Sequence, residues 1–223
     1  MSEPTGTSPR VVAAFDFDGT LTRGDTLLPF LKRLCGTRAV AVALAASSAS
    51  VGRAFRGGID RDALKVAVLA RLLADRPLRD VEAVASAYSE LVVRRRLRRD
   101  TLERVKWHRY QGHDLVVVSA SPEAYVGPVA RLLGIDAVLA TRLETDEAGC
   151  LTGRLLGGNV RGAEKVARLD AHLGGGPVTL WAYGDSAGDR ELLARADMAF
   201  TVTRRGIVPA GGTRPPAPPT RRD

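Results

Sequence analysis

The sequence predicts a doubly wound α/β domain, in which helices cover both faces of a parallel sheet and an all-helical segment is inserted near the amino terminus. The first observation is a set of short apolar runs at residues 11–17, 114–120, 178–184 and 197–202, with a fifth candidate at 137–141. Their hydrophobicity is continuous rather than alternating, which is typical of strands buried on both faces. These runs are therefore predicted to be strands of one parallel sheet.

Helical patterns between the apolar runs are the second observation. They cover residues 122–134, 162–174 and 188–196, and the last two begin or end at glycines, as helix ends prefer. Alternation of strands and helices predicts parallel β-α-β units. A small hairpin is also expected at residues 142–156, where Glu-Ala-Gly separates two short segments.

The alternation is interrupted by a long segment that is rich in Ala, Leu and Arg and has helical periodicity. We therefore expect a helical insertion at residues 24–100, placed between two parts of a core domain at residues 10–23 and 101–203. Residues 204–223 contain five prolines and repeated arginines, so a disordered tail is expected there.

The net charge of +8 is concentrated in two places. Residues 94–109 carry eight Lys or Arg and two acids, residues 203–223 carry five Arg and one Asp, and the remainder sums to −2. Aromatic residues, on which single-strand binders stack bases, are scarce in the basic segment. A solvated arginine-rich helix face and a tail are favoured over a nucleic-acid site, so no nucleic-acid partner is expected.

The same composition bears on location. No apolar run approaches the roughly 20 residues that cross a bilayer, so no membrane span is expected. The amino terminus lacks the basic-then-apolar order of a secretion signal. Cys35 and Cys150 lie far apart and outside any metal-like spacing. We expect a cytoplasmic protein, and the oligomeric state stays open.

Two aspartates at the end of the first apolar run carry the first functional signal. Asp16 and Asp18 are expected on the same side of the strand, at the carboxyl edge where open α/β sheets bind ligands. Two close carboxylates repel, and burial raises their pKa values unless a cation is present. A divalent ion, with Mg²⁺ as the best match for oxygen ligands, is one interpretation. An ordinary Asp-Gly turn is the other.

Three later features lie at the ends of other predicted elements. Ser119 follows the second strand, Lys165 opens a helix, and Asp185 and Asp189 follow the strand at 178–184. Taken singly, Ser119 is ordinary turn chemistry, Lys165 is a solvated side chain and either acid is a helix N-cap. Because the carboxyl ends of parallel strands meet at one edge of a sheet, their joint occurrence favours a common site.

Together these motifs resemble those of the haloacid dehalogenase-like (HAD) phosphatases, in particular the branch around phosphoserine phosphatase. The most specific matches are DFDGTLT at residues 16–22 and GDSAGD at 184–189, and the resemblance covers residues 10–202. It implies a Rossmann-like core, a helical cap formed by the insertion, Mg²⁺ as cofactor, a small phosphate ester as substrate and an aspartyl-phosphate intermediate.

The resemblance also implies a role for each residue. Asp16 would be the nucleophile, Asp18 the general acid and base, and Ser119 and Lys165 would bind and neutralise the phosphoryl group. The metal would be held by Asp16, by Asp185 and by Asp18 through its backbone carbonyl, with Asp189 as a further metal-site residue whose direct contact stays open. The substrate would contact Asp25, Ser119, Ala120 and Lys165.

This chain departs from the family pattern on the substrate side. Phosphoserine phosphatases usually carry Glu where this chain has Asp25, and a cap arginine that binds the substrate carboxylate; an alignment places Val66 or Ala67 at that arginine. A buried carboxylate without a partner is costly, so we expect an amino-alcohol or sugar phosphate as substrate. Phosphoserine is the alternative, if an arginine elsewhere takes the missing place: Arg53, Arg56 or Arg61.

Two further alternatives stay open. Arg161 is a second candidate for the cation that neutralises the phosphoryl group, in place of Lys165. From a different functional class, the chain would be a non-catalytic binding or regulatory protein that uses the basic helix at residues 94–109.

Overall fold

The computed structural model describes residues 10–54 and 61–210, with side chains described for residues 10–49 and 62–210. In this part of the chain, seven strands form one sheet. The strands are β1 (Arg10–Phe15), β2 (Asp114–Pro122), β3 (Ala137–Thr145), β4 (Leu151–Leu156), β5 (Val178–Gly184), β6 (Met198–Thr203) and β7 (Gly206–Pro209).

The described helices alternate with these strands after residue 110, and five described helices lie between β1 and β2. They are α1 (Leu27–Cys35), α2 (Thr37–Ala54), α3 (Arg61–Leu73), α4 (Leu78–Arg95), α5 (Arg99–Tyr110), α6 (Glu123–Leu132), α7 (Ala163–Leu173) and α8 (Arg190–Arg195). Within the described ranges, none of these helices combines the length and the apolar composition that a membrane span requires.

The sheet has the spatial order β4-β3-β2-β1-β5-β6-β7 and confirms the predicted doubly wound fold. β1 lies at its centre and pairs in parallel with β2 on one side and β5 on the other, while β4 and β7 are antiparallel edge strands. β3 and β4 form the predicted hairpin. Strand order reverses direction at β1, and open sheets of this kind bind ligands beyond the carboxyl ends of the strands at such a point.

The continuous hydrophobicity of β1 has a direct structural cause. Ala13 and Phe15 face one hydrophobic core, whereas Val12 and Ala14 face a second core on the other side of the sheet. Both faces of the strand are therefore buried, so apolar residues are needed at every position.

The described parts of the segment at 24–100 are mainly helical, as predicted, and its two connections to the sheet lie side by side. Thr22 and Leu97 form an antiparallel bridge, and the N–H of Arg23 donates to the carbonyl of Arg96 over 2.8 Å. The chain therefore leaves and re-enters the sheet region at one place. We propose that the core domain and the cap divide near residues 23 and 98, and that α1–α4 form the cap.

The insertion packs closely on the sheet domain. Tyr125 of α6 lies 4.8 Å from Phe30 of α1 and 5.5 Å from Tyr88 of α4, measured between ring centroids. On the hairpin, Gly153 has φ +78°, and a side chain there would come within 3.0 Å of the backbone of Ala70 in α3. These contacts hold α1, α3 and α4 over the carboxyl edge of the sheet.

The basic segment at 94–109 is not the single helix that was expected. α4 ends at Arg95 and α5 begins at Arg99, because the chain passes between them through the bridged connection. Some of its basic residues form ion pairs within the chain: Arg98 pairs with Asp100 at 2.7 Å, and Arg99 pairs with Glu103 at 3.2 Å. These pairs favour a structural role for the segment over a surface for a charged partner.

The disordered tail was predicted to begin at residue 204, which is too early in the sequence. Residues 206–209 form β7, which pairs with β6 in register Val202↔Ile207, whereas residues 211–223 lie outside the described part of the chain. The β-branched pair Ile207-Val208 favours a strand. Pro209 ends an edge strand, where a missing N–H is tolerated. Proline content alone therefore overstated the disorder of this segment.

Truncation after Arg205 is expected to lower the melting temperature by roughly 4–8 °C, because a loss of about 2 kcal/mol has this effect in a chain of this size. The deletion removes the ladder of β7 and the packing of Ile207 on the core. Truncation after Ala210, which keeps β7, is the matched control in thermal unfolding. Equal melting temperatures for the two truncations would show that β7 does not stabilise the sheet.

Candidate active site

Asp16 lies at the carboxyl end of the central strand and is only 6% exposed. Its N–H donates to the carbonyl of Tyr183 in β5 over 2.9 Å, which fixes the backbone just past the end of β1. Its Oδ1 accepts a hydrogen bond of 2.5 Å from Nζ of Lys165. Burial raises the pKa of the Asp16 carboxyl to about 7, with Lys165 opposing this rise and Asp189 adding to it.

Lys165, in the first turn of α7, is 2% exposed and bridges two carboxylates. Its Nζ donates to Oδ1 of Asp16 and, over 2.6 Å, to Oδ1 of Asp189. Burial alone would lower the pKa of Lys165, but the two carboxylates raise it, so the ammonium stays charged. Arg161 instead pairs with Asp62 at 3.2 Å. The structure thus brings Lys165, rather than Arg161, to Asp16.

Asp189 is held in place by the turn that follows β5. Its Oδ2 accepts hydrogen bonds from the N–H and the hydroxyl of Ser186, at 3.0 and 2.9 Å, and from the N–H of Asp185 at 3.2 Å. A side chain at Gly184 would collide with Asp189. The sequence GDSAGD therefore folds so that one buried carboxylate orients both its own turn and Lys165.

Asp16, Asp185 and Asp189 could hold a metal ion. Each offers one carboxylate oxygen, and these oxygens lie within 4.8 Å of one another; within the described residues the carboxylate of Asp18 is not part of this group. Burial, followed by the charge of Asp189, raises the pKa of Asp185 to about 6. Three carboxylates face one ammonium, and the donors are all oxygens, so the residues fit a hard divalent cation such as Mg²⁺.

Asp18 is placed by a turn and by hydrogen bonds rather than by strand alternation. β1 ends at Phe15, so the expectation that Asp18 would lie on the strand is wrong. Oδ1 of Asp18 accepts from the N–H and the hydroxyl of Thr26, at 2.7 and 2.6 Å, and Oδ2 accepts from the hydroxyl of Ser121. Burial raises the pKa of Asp18. This shift is in the direction that an acid catalyst needs, and the hydrogen bonds from Ser121 and Thr26 oppose it.

The end of β2 brings Ser119 and Ala120 to the same edge. Ser119 is buried, and its Oγ accepts a hydrogen bond of 3.0 Å from the N–H of Ser121. Because Ser119 is the acceptor in this bond, its own proton can be donated to a phosphoryl oxygen. Sequence reasoning missed Ser121, which reaches Asp18; the repeated serine in Ser-Ala-Ser-Pro was the available signal.

Lys65 of α3 is a second residue that sequence reasoning missed. Its Nζ donates to Oδ1 of Asn159 over 2.6 Å and to the carbonyl of Ala120. Burial lowers the pKa of Lys65 to about 8. The helix expected to present apolar Val66 or Ala67 therefore presents a cation one residue earlier. Only four of the 33 basic residues are lysines, and two of these four lie in this site, which was a usable signal.

Asp25 lies beside this cation, at the start of α1. Its carboxylate accepts from the N–H groups of Leu27 and Leu28, at 3.3 and 3.1 Å, so it caps the helix. It also lines a cavity together with Lys65. The other cap cations considered from the sequence have side chains outside the described residues: Arg53, Arg56 and Arg61.

Comparison with known proteins identifies the family. The model for haloacid dehalogenase-like hydrolases matches residues 13–194. Protein CicA of Caulobacter vibrioides is 38% identical over 197 residues, which cover 88% of this chain and 87% of the relative. The chain belongs to the haloacid dehalogenase-like hydrolases.

Two further relatives carry phosphatase names, and a solved phosphatase structure has the same fold. A probable phosphatase of Mycobacterium tuberculosis is 29% identical, with 89% of this chain and 71% of the relative covered. A histidinol-phosphatase of Neisseria meningitidis is 34% identical over 40% of this chain and 43% of the relative. A structure of a phospho-aspartyl intermediate analogue of phosphoserine phosphatase has the same fold, with a TM-score of 0.55, 21% identity and 86% of each chain covered. This HAD protein is a phosphatase.

Proposed function

We propose that this HAD phosphatase is a cytoplasmic, Mg²⁺-dependent phosphomonoesterase that forms an aspartyl-phosphate intermediate on a small phosphorylated metabolite. The observation that carries the proposal is the buried Asp16–Lys165–Asp189 bridge beside an Asp18 whose carboxyl is held by Thr26 and Ser121. Lys165 favours the ionised form of Asp16 against the effect of burial, while Thr26 and Ser121 orient Asp18, whose pKa is raised by burial. These are the states that a nucleophile and a general acid require.

The geometry supports a two-step reaction. Asp16 attacks phosphorus, and the leaving alcohol oxygen takes the proton of Asp18. Asp18 then accepts a proton from the water that attacks the aspartyl phosphate, which releases phosphate and regenerates Asp16. Lys165 and Ser119 stabilise the charge on the phosphoryl oxygens, the main requirement of phosphoryl transfer. When bound by Asp16, Asp185 and Asp189, Mg²⁺ supplies further positive charge at this centre.

The substrate is proposed to be an amino-alcohol or sugar phosphate. The Asp25 carboxylate suits an amine or hydroxyl group, and the relative named histidinol-phosphatase acts, by that name, on an amino-alcohol phosphate. Phosphoserine stays a second candidate because Lys65 places a cation near the position of the missing arginine. An ammonium lacks the bidentate fork with which arginine binds a carboxylate, so phosphoserine is expected to be the poorer substrate.

Metal removal tests the catalytic part of the proposal. EDTA is expected to abolish hydrolysis of p-nitrophenyl phosphate, and Mg²⁺ in excess should restore it. Ca²⁺ should inhibit, because its longer bonds and higher coordination number misplace the nucleophile. Full activity in EDTA would refute the metal requirement.

A substrate panel tests the proposed substrate class. Values of kcat/KM for phosphoserine, ethanolamine phosphate, histidinol phosphate and glucose 6-phosphate should be measured at one Mg²⁺ concentration. Phosphoserine is expected to fall behind the best amino-alcohol or sugar phosphate by about tenfold or more, because its carboxylate lacks a bidentate partner. If phosphoserine leads the panel, the second candidate is correct and a cap cation replaces the missing arginine, either Lys65 or one of Arg53, Arg56 and Arg61.

A further inference from the structure

The helical insertion contains an apolar cavity of about 430 Å³. This volume lies in the range of small-molecule sites in proteins. Two of the residues that line it are charged, namely Asp25 and Lys65. The others are aliphatic side chains of α1, α2 and α3: Leu27, Leu28, Leu31, Leu44, Leu64 and Val68.

Both charged residues connect the cavity to the proposed catalytic groups. Asp25 directly precedes Thr26, whose N–H and hydroxyl bind Asp18. Lys65 donates to the carbonyl of Ala120, the residue after Ser119. The cavity is therefore connected through Thr26 to Asp18, the residue that is proposed to protonate the leaving oxygen. A group that leaves from a phosphate held by Ser119 and Lys165 would lie next to this space.

We propose that this cavity binds the alcohol part of the substrate, and that this alcohol is an apolar amino alcohol. The inference rests on the proposed function and narrows its substrate class. The alkyl or aryl body would pack on the leucines and the ammonium would pair with Asp25. Lys65 would lie where the phosphoryl group enters. The negative charge of Asp25 favours an alcohol that carries an amine, and the apolar lining favours an alcohol with an alkyl or aryl body.

The same lining argues against a sugar phosphate. Sugar hydroxyls placed against leucine side chains would lose their hydrogen bonds to water without gaining protein partners, which is unfavourable. An apolar body instead gains roughly fourfold in binding for each buried methylene. The cavity lining thus favours amino-alcohol phosphates over sugar phosphates, two substrate classes that the sequence did not distinguish.

A series of amino-alcohol phosphates tests the inference on the wild-type chain. Ethanolamine phosphate, leucinol phosphate and 4-methylpentyl phosphate, which lacks the amine, are compared by kcat/KM at saturating Mg²⁺. Leucinol phosphate is expected to exceed ethanolamine phosphate by at least about tenfold, since a few methylenes in an apolar pocket have this effect. It should also exceed 4-methylpentyl phosphate, because only leucinol phosphate pairs with Asp25.

A substitution in the cavity lining tests whether the preference for leucinol phosphate over ethanolamine phosphate arises there. Leu28→Gln places an amide in the lining at a residue that is 37% exposed, so the fold should tolerate it. It should lower the ratio of kcat/KM for leucinol phosphate to that for ethanolamine phosphate by about tenfold. Leu132→Gln, at a residue of α6 that is 58% exposed, is the matched control and should leave this ratio unchanged.

The outcomes separate the two proposals. If p-nitrophenyl phosphate and the whole series are not hydrolysed with Mg²⁺, the proposed function fails. If the series is hydrolysed but leucinol phosphate gives no advantage, or a sugar phosphate leads, only the assignment of the cavity is overturned. An equal ratio in wild type and Leu28→Gln would likewise overturn it.

Discussion

Asp16→Asn is expected to abolish phosphatase activity, with a loss of at least about 10⁴-fold in kcat, because an amide cannot attack phosphorus to form an acyl phosphate. The fold should persist. Asparagine has the same shape, and its carbonyl oxygen can still accept the hydrogen bond that Lys165 donates to Asp16. The ammonium keeps its second partner, Asp189, so no charge is left buried and unpaired. Burial already disfavours the charge of Asp16, so its removal should cost little stability.

Hydrolysis of p-nitrophenyl phosphate with Mg²⁺, measured together with thermal unfolding, checks this result. Asp170→Asn is the matched control: Asp170 is a surface residue that pairs with Arg195 at 3.1 Å, and its variant should retain full activity. Asp18→Asn should lower the rate by about 10²–10⁴-fold, the usual contribution of a general acid and base. A folded Asp16→Asn protein with more than trace activity would refute the covalent mechanism.

The sheet and the residues at its carboxyl edge could be predicted from the sequence for a physical reason. Strands buried on both faces must be apolar at every position, so Val11–Phe15 and its counterparts stand out from the polar turns that follow them. Parallel strands also carry their carboxyl ends to one edge, so Asp16, Ser119 and Asp185 could be grouped without coordinates.

Lys65 could not be placed because its position depends on the rotation of a helix. A shift of one residue turns a helical side chain by about 100°, so a sequence alignment that is uncertain by one residue cannot decide between Lys65 and Val66. The partners of Lys65 are Ala120 and Asn159, which are distant in sequence. Local pattern carries no information on such contacts. Asp18 shows the same limit, since hydrogen bonds to Thr26 and Ser121 fix its carboxylate.

Lys165→Met is expected to inactivate the phosphatase and to destabilise it by about 3–5 kcal/mol, the cost of breaking a buried ion pair by removing one partner. Methionine fills a similar volume, so the loss arises from charge. Asp16 and Asp189 would face each other without the ammonium that now bridges them. The pKa of Asp16, already raised to about 7 by burial, would rise further. At neutral pH the carboxyl would then be protonated and could not act as a nucleophile.

Mg²⁺ distinguishes this electrostatic account from simple damage to the core. A cation bound by Asp16, Asp185 and Asp189 would replace part of the missing positive charge. Ligands that bind the folded state raise its stability in proportion to the logarithm of their concentration relative to Kd. The increase in melting temperature on adding Mg²⁺ should therefore be larger for Lys165→Met than for wild type. The exposed Lys106→Met is the matched control and should behave as wild type.

A double variant completes the test. Lys165→Met/Asp189→Asn removes one of the two uncompensated carboxylates, so it should regain part of the stability that Lys165→Met loses, while activity stays absent. Such a non-additive effect on stability is expected for residues in direct contact, and its size measures the interaction between them. If the two substitutions are additive and Mg²⁺ shifts all melting temperatures equally, Lys165 stabilises the fold by packing alone. Its charge would then have no role in holding Asp16 ionised.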